Sequence, residues 1–132
     1  MQKLSSIFLI LFLVGCQSTS TETKPSFATD IIEIEAGDLS NFWVASSSKV
    51  KMLRKRPNWL PKGKGEWTVL TVIDSNGQVV ERTLISSLPE GFMTQNEIDE
   101  MPIIEFEPSI SNNNRIPVKF YGTAKIAPRS EL

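Results

Sequence analysis

The sequence predicts an α+β fold: a small antiparallel sheet of about three strands, packed with one or two short helices and carried on a flexible amino-terminal tether. Three observations predict it. In residues 66–73, Trp67, Val69, Thr71 and Ile73 alternate with Thr68, Leu70 and Val72 in a period of two rich in β-branched side chains. Asp74-Ser75-Asn76-Gly77 follows, a tight turn that returns the chain into a second apolar run. Thr94 stands three residues before Glu97, the spacing of a capping box, in which each side chain satisfies a backbone N–H at a helix start.

The elements follow in chain order. A short n-region carries Lys3, and eight unbroken apolar residues run from Ile7 to Val14. That run matches a secretory h-region and falls well short of the roughly 20 residues that span a bilayer. It ends in Leu13-Val14-Gly15-Cys16, which resembles the bacterial lipobox. The resemblance implies diacylglycerol transfer to the Cys16 sulfur, cleavage after Gly15 and acylation of the new amino terminus. Each acyl chain would contribute about 0.8 kcal/mol per buried CH₂, so two or three anchor firmly. An ordinary signal peptide, or a buried free cysteine, is the alternative reading. Under the familiar sorting rule, Gln17 in place of an aspartate leans towards the outer membrane, facing the periplasm.

Residues 16–29 then read as a tether, Ser/Thr-rich with almost no large apolar side chain, reaching roughly 20 Å in root-mean-square extension. Within residues 30–56, Ile31, Ile32 and Ile34 interleave with acids as a strand or a docking strip. Asp38 is placed to cap a helix containing Leu39, Phe42 and Trp43 and reaching Val50 and Leu53, against which the serines at 46–48 argue. Phe42 and Trp43 read as core. The second strand is expected at residues 78–86 and the capped helix at 95–101, stopped by Pro102. Phe106-Glu107-Pro108 leads to a polar turn at 111–114 and a third strand at 116–126. Pro117 places that strand at a sheet edge or at its first paired positions. Residues 127–132 are a tail.

Composition narrows the chemistry. Removing fifteen of 132 residues leaves 117, one small domain, and the formal charge of −1 gives no reason to expect nucleic acid as a partner. The charge is unevenly spread. Lys49, Lys51, Arg54, Lys55, Arg56, Lys62 and Lys64 form a basic segment without acids, and Glu90, Glu97, Asp99, Glu100, Glu105 and Glu107 an acidic one without bases. These are expected to be solvated faces that attract one another within the fold. With no histidine and one cysteine, most zinc sites, thiol catalysis and histidine-assisted serine catalysis lose an indispensable group, and no disulfide forms within the chain. Glu105 and Glu107 read as one solvated face beside Pro108, and Ser86-Ser87 and Ser46–Ser48 have no activating base. The reading is a protein that is not an enzyme and uses no cofactor or metal.

The ordered series Pro57-Asn58-Trp59-Leu60-Pro61, Gly65-Glu66-Trp67-Thr68-Val69, Asp74-Ser75-Asn76-Gly77, Phe106-Glu107-Pro108 and Asn114-Arg115-Ile116-Pro117-Val118 resembles the carboxy-terminal domain of TonB-type energy transducers. The resemblance covers residues 57–126. It departs from the family in the three-residue link Lys62-Gly63-Lys64, where a helix is usual, and in lacking a transmembrane helix and long proline-rich spacer. It implies a binding end without an engine. A partner peptide would pair with an exposed sheet edge by β-augmentation, here on Ile116, Val118, Lys119, Phe120 and Tyr121, with Phe120 or Tyr121 pointing outward. That edge is alternatively covered by the segment around residues 31–34 or by the carboxyl tail. The expected function is a membrane-anchored periplasmic adaptor for an envelope protein. The alternative is a structural lipoprotein binding anionic lipid, lipopolysaccharide or cell wall through residues 49–64.

Overall fold

The computed structural model describes residues 24–46 and 55–128. Cys16, the basic residues Lys49, Lys51 and Arg54, the apolar Val50 and Leu53, and the last residues of the tail lie outside them. The described chain forms β1 (Ile32–Glu33), a 3-10 turn at Ala36–Asp38, α1 (Leu39–Phe42), β2 (Trp43–Ala45), β3 (Gly65–Ile73) and β4 (Val79–Leu88). Then come α2 (Gln95–Glu100), β5 (Phe106–Pro108) and β6 (Val118–Ile126). This is the expected α+β class. The main sheet runs β1-β6-β3-β4, with β3 antiparallel to both long neighbours and β1 joining β6 in parallel. A separate antiparallel ladder pairs β2 with β5.

The β3–β4 turn closes as its sequence predicts, with a detail the dipeptide alone does not reveal. Gly77 adopts φ 78°, and no positive φ is found at Asn76. The Gly77 N–H donates to the Asp74 carbonyl at 3.0 Å, and the Asp74 N–H to the Gln78 carbonyl at 2.9 Å. The Phe106 N–H reaches the Gly77 carbonyl at 2.9 Å, and a Cβ at Gly77 would stand 2.0 Å from the Phe106 oxygen. Left-handed backbone and close approach therefore both require glycine here. The Asp74 carboxylate is wholly buried and accepts backbone N–H groups from Ser26, Asn76 and Gln78. With the Ser75 hydroxyl accepting the Ala28 N–H and the Ser75 N–H donating to Ser26, it holds residues 26–28 of the expected tether against the hairpin.

Alternation sends one set of sheet side chains into the core. Trp43, Ile73 and Val118 form one buried cluster, with Ile34, Leu39, Phe42, Val79, Phe106 and Phe120 around it. Trp67, Met93 and Ile98 form the other, flanked by Val69, Leu84, Phe92, Ala124 and Ile126. Ile98 places α2 over this face. On the opposite face Thr68 and Thr123 share a 2.8 Å hydrogen bond, and Lys125 pairs with Glu66 at 3.4 Å.

Three elements differ from expectation. The helix after Asp38 ends at Phe42, Asp38 makes no side-chain cap bond, and Trp43 is extended at φ −138° and ψ 137°. The reason is nonlocal: Trp43 pairs with Pro108 in the β2–β5 ladder, buries its ring and donates its indole N–H to the Ile116 carbonyl at 2.9 Å. The third long strand begins at Val118 rather than 116, because the Ile116 N–H is taken by Asn112 Oδ1 at 2.9 Å. At α2 the Thr94 hydroxyl accepts the Glu97 N–H at 3.3 Å, while Glu97 Oε2 is buried without a hydrogen bond. The capping box is therefore half made.

Candidate strand-pairing edge

A sheet edge offers unpaired N–H and C=O groups to any extended chain, so natural folds plug their edges. The middle of β4 is plugged by one side chain. The Leu84 N–H donates to Gln95 Oε1 at 2.8 Å, and Gln95 Nε2 donates to the Arg82 carbonyl at 2.8 Å. A primary amide thus presents the donor and acceptor that a neighbouring strand would. Arg82 then donates to the Met101 carbonyl at 3.1 Å, tying the end of α2 to the same edge.

The β6 edge is closed only at its start. The Ile32 N–H donates to the Pro117 carbonyl at 3.1 Å and the Ile34 N–H to the Lys119 carbonyl at 3.0 Å, before the chain leaves at the 3-10 turn. Backbone groups alternate along a strand. Those of residues 117 and 119 face β1, so those of Tyr121, Thr123 and Lys125 face the same way, beyond the end of β1. No hydrogen bond to them is found among the described residues.

The five predicted edge residues therefore divide. Ile116 is half-buried in the turn beside Trp43, Val118 is fully buried, and Phe120 packs into the first core cluster. Lys119 lies under β1 and meets Glu33 at 3.9 Å. For residues 116–120 the expectation of an open edge is corrected: the segment around 31–34 covers it, the alternative the sequence left standing. Tyr121 is 46% exposed and is the outward member of the Phe120–Tyr121 pair. Thr123 and Lys125 belong with it and were missed, although counting onward by two from Tyr121 finds both. Gln95 carried no signal, since a glutamine in a first helical turn reads as ordinary surface.

Of the basic segment, Lys55, Arg56, Lys62 and Lys64 are described and exposed, and the Arg56 guanidinium donates to the Pro61 carbonyl. Lys62 and Lys64 lead into Gly65, at the end of the sheet where β6 finishes. There Lys64, Glu66, Leu88, Lys125 and Ile126 line a shallow groove of about 430 Å³. The other end of the sheet is acidic, with Glu33, Glu35 and Asp38 around a hollow beside Phe42. Of the serines considered for catalysis, Ser87 has a structural role: its Oγ donates to the Pro89 carbonyl and accepts the Met93 N–H. Among the described residues no group of acids or cysteines is placed to hold a metal, and no helix is long and apolar enough to cross a membrane. Comparison of this chain with protein-family models, with curated protein sequences and with solved structures finds no match.

Proposed function

We propose that this chain is a lipid-anchored envelope protein whose domain takes an extended segment of a partner protein onto the outer edge of β6 at residues 121–126, as a non-catalytic adaptor. The observation that carries the reading is the outward backbone of Tyr121, Thr123 and Lys125, for which no partner is found among the described residues, whereas Gln95 plugs the middle of β4 and β1 covers the start of the β6 edge. Main-chain hydrogen bonds from such an edge supply affinity, and alternate side chains supply selectivity. The ordered resemblance to TonB carboxy-terminal domains and the lipobox-like Cys16 support the same picture from the sequence.

The test follows from which way each N–H points. The Thr123 N–H faces outward, so Thr123→Pro removes an edge donor while sparing the β3 ladder, where proline is tolerated. The wild type is expected to co-purify with one envelope protein, and the full-length variant to keep its near-ultraviolet circular dichroism and lose that protein. Retention of that protein by a folded Thr123→Pro chain would contradict the reading.

The alternative is attachment to anionic lipid through residues 49–64. Residues 26–28 dock at the hairpin end of β3, whereas Lys62 and Lys64 lie at the opposite end. A nine-residue strand separates the ends by about 27 Å.

A further inference from the structure

We infer, on the reading that the β6 edge pairs with a strand, that its partner is an extended segment alternating apolar and acidic residues, selected by Lys125 and by the small side chains Gly122 and Ala124. The chain contains its own template for this choice. Along β1, Ile32 lies beside Val118 and Glu33 beside Lys119. Glu33 meets the Lys119 ammonium at 3.9 Å on the open face, while Ile34 enters the cluster of Trp43, Ile73 and Val118 on the core face. The edge of β6 thus already pairs with an apolar–acidic–apolar segment over its first turn of pairing.

The pattern on β6 repeats beyond the point where β1 leaves. On the core face stand Gly122 and Ala124, beside Val69 and Trp67 respectively in β3. A Cβ built on Gly122 meets nothing nearer than Phe120 Cε2 at 3.9 Å, and Val69 remains half-buried behind it. Apolar side chains of a paired strand, two residues apart, would cover this flank as Ile34 covers the first. On the open face Lys125 is 76% exposed while touching Glu66, so its ammonium is free to reach a second carboxylate. A basic segment would instead meet a like charge directly across the pair, which is destabilising.

The experiment uses the full-length protein in detergent and three peptides of equal length: alternating isoleucine and glutamate, the same with lysine for each glutamate, and the glutamate peptide interrupted by prolines. Anisotropy reports affinity, and amide hydrogen exchange at Tyr121, Thr123 and Lys125 reports the place. The glutamate peptide is expected to bind about tenfold more tightly than the lysine peptide at low salt, with protection at those three amides. Lys125→Gln is expected to erase the preference. The exchanged pair Glu66→Lys with Lys125→Glu, which keeps the local ion pair, is expected to invert it. Equal binding of both charged peptides with protection at the edge would overturn the acidic selection and leave strand pairing intact. Absence of protection with every peptide would overturn both.

Discussion

At the scale of single residues, the hairpin turn is where the fold has least freedom. Gly77 combines φ 78° with an approach to the Phe106 carbonyl that leaves no space for a Cβ, and the turn is also where Asp74 gathers residues 26–28. Gly77→Ala is therefore expected to destabilise the domain by about 2 kcal/mol or more, seen as a lower denaturant midpoint. Val118→Pro belongs to the same class of damage, since its N–H faces β3 and its side chain is fully buried. The sequence makes the glycine turn legible because its chemistry is local. It does not reveal that Asp74 is buried under the tether, because that depends on a contact 48 positions away.

Among elements, β3 was readable because period-two alternation is written into it, β4 because the Asn76-Gly77 turn returns the chain into a second apolar run, and α2 because Thr94 and Pro102 mark its ends. The helix expected beyond Asp38 fails because of a partner distant in sequence, and the third strand starts late because of a local one, Asn112. Trp43 leaves helical geometry to pair with Pro108, whereas residues 31–34, open to a strand or a docking strip from sequence, supply the strand β1 on the edge of β6. The candidate site was half legible for the same reason: alternation points Tyr121 outward, but only the position of β1 tells which part of the edge remains open. The plug on β4 gives an element-scale prediction. Gln95→Ala removes both hydrogen bonds to Arg82 and Leu84 and exposes a second edge. The variant is expected to self-associate, with a higher weight-average mass in sedimentation at micromolar concentration, while the wild type under the same conditions does not shift.

Over the whole molecule, the sheet is an axis with different ends. The chain enters beside the hairpin, the acidic hollow lies at that end, and Lys62, Lys64 and Lys125 lie at the other. Tyr121, Thr123 and Lys125 run from the middle of the sheet towards that second end. Cys16→Ser is expected to lose the radiolabelled fatty acid that the wild type incorporates when cells are grown on labelled palmitate. Equal label on the wild type and on Cys16→Ser, or none on the wild type, would remove the lipid anchor.

The most direct measurement is photo-crosslinking in cells from positions 121 and 125, with Glu97 and Glu81 as control positions, each repeated in the Thr123→Pro background. One defined envelope protein is expected to be captured from 121 and 125, absent from 97 and 81, and lost when residue 123 is proline. Capture that is equal at all four positions, or that survives the proline, would contradict a partner strand on the outer edge of β6.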